Sequence, residues 1–257
     1  MRFADTTKLV DPNLVVSRRH EDWLTKYDQP VYSQRALAFA HEQLSKPGRV
    51  RMGTVSASSL GDCHRYQQFT YLGLPKLPND AKTALKFQNG AFMHLRWQMA
   101  GLSEGWLVEA EVPVRDRERG LQGTMDGVLY DESILELKSI NAHGFSGVMT
   151  FGPKHEHLFQ MATYMVCTKR TKGVFIYENK DTQEYTEIVV NADEVPLEEA
   201  MVQARTLWQG IEATNLAEPL EKCIDRTGWK YQSCPFRDRC LELYTWEEAL
   251  HARDSHA

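Results

Sequence analysis

The sequence predicts an α/β protein, and three patterns carry that expectation. Two pairs of short strand-like runs, Thr124–Tyr130 with Ile134–Ile140 and Gly173–Asn179 with Glu184–Asn191, each bracket a turn-prone segment. Amphipathic helical patterns stand around them over Lys82–Gly101, Leu158–Cys167 and Pro196–Ala213. At 257 residues, with 42% hydrophobic and 25% charged side chains, the chain can bury a substantial core as ordinary globular domains do.

Taken in order, residues 1–30 are polar and read as irregular, with Arg18-Arg19-His20-Glu21-Asp22 set around Trp23. A helix is expected over Ser33–Leu44, where Ala36, Leu37, Ala40 and Leu44 make an apolar stripe that Pro47-Gly48 ends. Ser58 or Ser59 is a candidate cap for a helix running through Cys63 and Tyr71 and stopped by Gly73 and Pro75. Cys63 there is either a core residue or a ligand, and Arg65 reaches either a phosphate or solvent. Leu85, Phe87, Phe92, Leu95 and Met99 supply the apolar positions of the helix that carries Gly90 and His94. Trp106–Arg115 alternates as a strand, and His143–His155 reads as a glycine-rich loop. On the helix after it, Gln160 and Tyr164 are four apart and point the same way. Asp193-Glu194 and an early proline open the last long helix. The division expected is a helical extension over 1–55, a core domain over 56–245 and a tail over 246–257.

The first hairpin holds the chemistry. Alternation puts Glu136 and Lys138 on one strand face and Leu135 and Leu137 on the other. A three-residue turn at Asp131-Glu132-Ser133 pairs Tyr130 with Ile134 and sets Asp126 opposite Lys138. Glu136 then lies diagonally from Asp126, roughly 7–8 Å away. Two carboxylates and an ammonium group on a mostly apolar sheet need compensation, which a hard divalent ion such as Mg²⁺ or Mn²⁺ supplies. A solvent-facing hairpin that merely carries these charges is the competing reading.

Composition narrows the rest. A net charge of −5 counts against a protein that coats nucleic acid non-specifically, yet allows one local basic groove beside a metal. No apolar run approaches the ~20 residues of a membrane span, and MRFADTTKLVDP lacks a signal peptide's apolar core, so a cytoplasmic protein is expected. Five cysteines in such a chain read as metal ligands or thiols rather than disulfides. Cys223, Cys234 and Cys240 need a fourth ligand, for which Cys63 is the distant candidate, while Cys167 sits in an apolar setting and reads as core. Spacing alone leaves a [4Fe–4S] cluster and a zinc site both open.

His94, Asp126 in Gly123-Thr124-Met125-Asp126, Glu136-x-Lys138 and Gln160-x-x-x-Tyr164, in that order, resemble the RecB-type branch of the PD-(D/E)XK nucleases. One cysteine ahead of these motifs and three behind is similar to that branch's iron–sulfur subgroup, which includes the AddB nuclease domain and the CRISPR-associated Cas-four exonucleases. The resemblance spans about Ser56 to Cys240, and it implies a restriction-endonuclease-like core, a mixed central sheet flanked by helices. It further implies Mg²⁺- or Mn²⁺-dependent hydrolysis of DNA, acting on single strands or ends, in recombination, repair or CRISPR-type processing with possible partner proteins or self-assembly. Asp126, Glu136, His94 and the backbone carbonyl of Leu137 would hold the ion, and Lys138 would orient water or stabilise charge. Gln160 and Tyr164 would contact DNA, with Arg65, Lys154, Arg237 and Arg239 as further phosphate contacts. Cys63, Cys223, Cys234 and Cys240 would hold the cluster. The subgroup's close Cys-x-x-Cys pair is missing, since ten residues separate Cys223 from Cys234. A non-catalytic DNA-end-binding or adaptor module of the same fold is the alternative; the intact Asp126/Glu136/Lys138 set favours catalysis.

Overall fold

The computed structural model describes residues 16–26, 30–47, 52–61 and 63–255. Helices α1 (Val16–Lys26) and α2 (Gln34–Ser45) precede a two-residue strand, β1 (Val55–Ser56), and helix α3 (His64–Leu72). The 24-residue α4 (Ala81–Glu104) feeds an antiparallel meander of β2 (Leu107–Asp116), β3 (Leu121–Leu129) and β4 (Ile134–Ile140). Helices α5 (Ala142–Phe151) and α6 (His155–Thr168) lead to β5 (Lys172–Asn179), which runs parallel to β4, and β6 (Tyr185–Asn191) pairs antiparallel beyond it. After α7 (Leu197–Glu212) come three single turns, α8 (Glu221–Ile224), α9 (Trp229–Gln232) and α10 (Arg237–Cys240), then α11 (Trp246–Asp254). The sheet order is β1-β3-β4-β5-β6, with β2 on the other edge of β3. The expected mixed sheet flanked by helices is what forms.

The parallel pair β4–β5 is buried on both faces, as strands covered by helices on two sides must be. Ile134, Phe175 and Tyr177 join a core with Phe69, Phe159, Leu207 and Trp246, from α3, α6, α7 and α11. Leu135, Leu137, Val174 and Ile176 join a second core with Val16, Trp23, Ala36 and Trp97, from α1, α2 and α4. Residues 246–254, expected as a tail, are therefore a helix whose Trp246 and Ala249 are buried in the larger core.

The segment expected to be irregular around Trp23 is α1. His20 and Trp23 share its inward side, three residues apart, and its first N–H groups are capped from a distance. Glu187 of β6 accepts from Ser17 N and Oγ at 2.7 Å each and from Val16 N at 3.3 Å, which places a carboxylate at the positive end of the helix. The rest of residues 1–30 lies largely outside the described residues. α2 forms as expected, with Ser33 Oγ capping Ala36 N, and Gly48 of its expected stop is not among the described residues.

Two further expectations need correction. Serines 58 and 59 do not cap α3; the cap is Cys63, whose sulfur accepts from Tyr66 N at 3.5 Å, while Gly73 closes the helix in the left-handed region at φ 78°. The glycine-rich stretch 143–155 is mostly helix α5, because Asn141 Oδ1 accepts from Gly144 N at 2.8 Å and nucleates a turn that the glycines tolerate.

Candidate active site

The register of the first hairpin differs from the expected one. Gly127 pairs with Leu135 and Val128 with Ile134, two residues off the three-residue turn, because Leu129 N donates to Ser133 O and Glu132 adopts φ 67°. An even shift leaves every side chain on its expected face. It also brings Glu136 into line with Asp126 instead of Lys138. The ladder ends at Gly127–Leu135, and the two strands part at the acids themselves. There Leu137 N donates to Asp126 Oδ2 at 2.6 Å, so that a side chain replaces the missing strand partner.

Side chains from α4, from β4 itself and from α6 close on this fork. α4 delivers His94, whose Nδ1 lies 3.0 Å from Asp126 Oδ1, and Gln98, whose amide donates to Asp126 O at 2.9 Å and to Glu111 Oε1 at 3.0 Å. β4 delivers Lys138, whose Nζ donates to Glu136 Oε1 at 2.7 Å and to Gln160 Oε1 at 2.8 Å. From α6, Gln160 Nε2 donates to Glu136 Oε1 at 2.6 Å and to Tyr164 Oη at 3.1 Å. Tyr164 Oη donates in turn to Thr124 O at 2.9 Å. Gly123 makes room for that ring, since a Cβ there would stand 2.7 Å from Tyr164 Cε1. His94, Asp126, Glu136, Lys138, Gln160 and Tyr164 line a pocket of about 590 Å³, with Glu111, Arg115 and Gln122 at its wall.

Glu136 is only 2% exposed, and its Oε2 is buried without a hydrogen-bond partner among the described residues. Burial pushes its carboxyl up to about 7, although Lys138 pulls the other way. Burial also opposes ionisation of Asp126, but the His94 ring, Lys138 and the Leu137 N–H outweigh it and hold that carboxyl below its usual range. His94 titrates above its usual range despite burial, because Asp126 favours the imidazolium. The two acids are thus driven apart, one kept ionised and one near neutrality.

No three His, Cys, Asp or Glu side chains among the described residues converge closely enough to hold a metal ion as arranged. The donor chemistry nevertheless suits a hard cation. Asp126 and Glu136 are hard oxygen donors, and the partnerless Glu136 Oε2 is the atom a cation would satisfy. Leu137 meets the site through its N–H, an interaction the expectation of a ligating carbonyl did not include.

The expected DNA contacts fare unequally. Arg65 is corrected: it is buried, with its guanidinium donating to Cys240 O at 3.0 Å, to Ala217 O at 2.5 Å and to Leu243 O, so it pins the C-terminal segment and is not open to phosphate. Gln160 and Tyr164 line the pocket, yet their polar atoms brace Glu136 and β3. Lys154 stands at the N-terminal boundary of α6 without a side-chain capping bond and is half-buried. Arg237 and Arg239 donate to Gln232 O at 2.7 Å and Ala252 O at 2.9 Å.

Cys63, Cys223, Cys234 and Cys240 line one cavity of about 520 Å³, and Cys167 does not. Burial pushes the Cys240 thiol up to about 11 against the pull of Arg65, and burial does the same to Cys167. The thiols are gathered around a common space but do not close to ligand geometry.

Sequence reasoning missed Glu111 and Gln98. Glu111 has φ 55° and is bracketed by the pairs Ala110–Gly127 and Val112–Met125, which places it across from Asp126. A lone glutamate in an alternating strand carries no signal of that position.

No family model matches this sequence, and no curated protein matches it. Solved structures do. SSO0001 is 19% identical, covers 84% of this chain and 98% of its own, and superposes with a TM-score of 0.50. The alkaline exonuclease LHK-Exo from Laribacter hongkongensis, in complex with dAMP, is 22% identical over 63% of this chain and 90% of its own, with a TM-score of 0.48. A putative exonuclease from Eubacterium rectale is 11% identical over 78% and 100%, with a TM-score of 0.42. At these identities the likeness is one of fold.

Proposed function

We propose that this protein is a metal-dependent deoxyribonuclease of the PD-(D/E)XK kind, acting as an exonuclease on single-stranded DNA or DNA ends. The observation that carries the reading is Glu136: a sealed carboxylate with one partnerless oxygen, beside an ammonium group and in line with an ionised aspartate, at the floor of an open pocket. A protein gains nothing in stability from that arrangement unless a ligand completes it.

Asp126, Glu136 and His94 would hold Mg²⁺ or Mn²⁺, which supplies charge neutralisation at the phosphate and a more acidic water. The chain's own residues do the rest. Lys138 would donate to the developing charge on the phosphate and steer the attacking water. Gln160 orients both Lys138 and Glu136 through one amide, and Tyr164 ties that amide to the backbone of β3. Gln98 fixes the backbone at Asp126 from the other side.

We infer also that the four gathered cysteines hold a structural centre, with four thiolates fitting a [4Fe–4S] cluster or, failing that, zinc. Arg65 of α3 already donates to the backbone carbonyl of Cys240, so the centre would add a second tie between α3 and the C-terminal turns. Iron, sulfide and zinc analysis of the purified protein distinguishes the two.

The test of hydrolysis is a digest of end-labelled single-stranded DNA with Mn²⁺, wild type beside Asp126→Asn and Lys138→Met. Loss of cleavage in both variants, with circular dichroism unchanged, is expected. A wild type that binds DNA and cleaves none would leave a DNA-end-binding module instead.

A further inference from the structure

Helix α4 spans about 36 Å at 1.5 Å per residue, and its two halves behave differently. The C-terminal half buries Met93, Trp97, Gln98, Ala100 and Leu102. The first half, from Ala81 to Phe92, stands out from the body with almost every side chain in solvent, including Leu85, Phe87 at 65% and Phe92 at 49% exposure. Large apolar side chains so exposed are unfavourable in water unless something covers them.

A second pocket, of about 850 Å³, runs along this half-helix. It adjoins the catalytic pocket, and His94, Glu111 and Lys138 line both. Beyond His94 its lining includes Phe87 and Phe92, with Lys86 on the same helix and Lys180 just past β5. Aromatic faces interleaved with ammonium groups are what a single strand of nucleic acid requires, bases on the rings and phosphates on the lysines. Phe87 and Phe92 are five residues apart, about 7.5 Å along the axis and about 140° around it, so each ring borders the chamber as a separate stacking surface.

We propose that this chamber is a single-strand subsite, in which bases next to the reacting phosphate stack on Phe87 and Phe92 while Lys86 and Lys180 hold the flanking phosphates. It rests on the nuclease reading and narrows it to a strand with unpaired bases, since a paired base does not offer its faces to a side chain. The shared lining puts His94, Glu111 and Lys138 at the border between the subsite and the catalytic pocket. A second copy of this chain is the competing occupant of an apolar helix face, but three lysines in the chamber lining favour a polyanion over another copy of a chain that carries the same charges.

The experiment uses the full chain with Ca²⁺ in place of Mg²⁺ and follows fluorescence anisotropy of two labelled strands of equal length, an oligothymidylate and an abasic phosphodiester. Stacking contributes about 5- to 150-fold per base, so the wild type is expected to prefer the thymidylate by at least about tenfold. Phe87→Ala/Phe92→Ala should bring the two strands to equal affinity, and Phe87→Tyr/Phe92→Tyr should restore the preference. Both positions are exposed, so the melting temperature serves as a control for folding. A wild type with no base preference, or an alanine double variant that keeps one, overturns the proposal. So does a dimer in sedimentation that the alanine substitutions dissolve. Cleavage lost in Lys138→Met while bases make no difference would sink the subsite and leave the nuclease standing; base preference without any cleavage would do the reverse.

Discussion

His20 makes a prediction independent of the active site. Its ring is fully buried, stacks on Trp97 with centroids 3.8 Å apart, and has neither nitrogen hydrogen-bonded among the described residues. Burial lowers its pKa from 6.5 to about 4, with Arg96 adding to the effect. The folded protein thus holds a neutral imidazole that the unfolded chain readily protonates. Stability from this group is complete above about pH 6.5 and is lost as pH falls from there towards about 4. With a folded value near 4, the loss at pH 5 is about 2 kcal/mol, from about 1.4 kcal/mol per pKa unit. His20→Phe keeps the stacked ring and removes the titration. Urea unfolding of both proteins at pH 7.5 and pH 5.0, read by tryptophan fluorescence, isolates the effect as a difference of differences. The wild type should lose about 2 kcal/mol more than the variant between the two pH values. Parallel losses would refute the reasoning, because the ring would then be satisfied or solvated in the folded state.

The remaining predictions concern the bracing of the site and the C-terminal anchor. Lys138→Met should lower cleavage by about 10²-fold or more while the fold persists, measured as single-turnover rates. Tyr164→Phe should cost about 1 kcal/mol through the lost bond to Thr124 O, with a fall in turnover because Gln160 loses a partner that fixes its orientation. Gly123→Ala should mimic it from the other side, since the added methyl stands 2.7 Å from the Tyr164 ring and displaces it, at about 1–3 kcal/mol. Arg65→Ala strands the carbonyls of Ala217, Cys240 and Leu243, and about 3 kcal/mol or more is expected, with the chain after α7 becoming the first site of limited proteolysis.

Comparison of the hairpin with its expectation shows where sequence reasoning holds. Side chains alternate with a period of two, so Glu136 and Lys138 had to share a face in any register that kept Leu135 and Leu137 in the apolar core. The three-residue turn falls one position earlier, at Tyr130-Asp131-Glu132 with Glu132 left-handed, which shifts the pairing by two residues, and nothing in Asp131-Glu132-Ser133 announces that conformation. Likewise the i, i+4 spacing put Gln160 and Tyr164 together without saying whether they face solvent or the acids. Arg65 read as a phosphate contact because an arginine's partners, three backbone carbonyls more than 150 residues away, leave no mark in local sequence.

The order of residue types along the chain determined the α/β layering, the face of each strand and the set of groups able to meet. Those properties follow from local periodicity and need only neighbours within a turn or a pleat. Tertiary structure alone decided that β3 and β4 part at the two acids, that one carboxylate oxygen of Glu136 is sealed without a partner among the described residues, and that α1 docks on a glutamate of β6. It also decided that four thiols border one cavity without closing on a point. Each of these depends on contacts between segments remote in sequence, where the energy lies in the fit of two surfaces and not in the pattern of either.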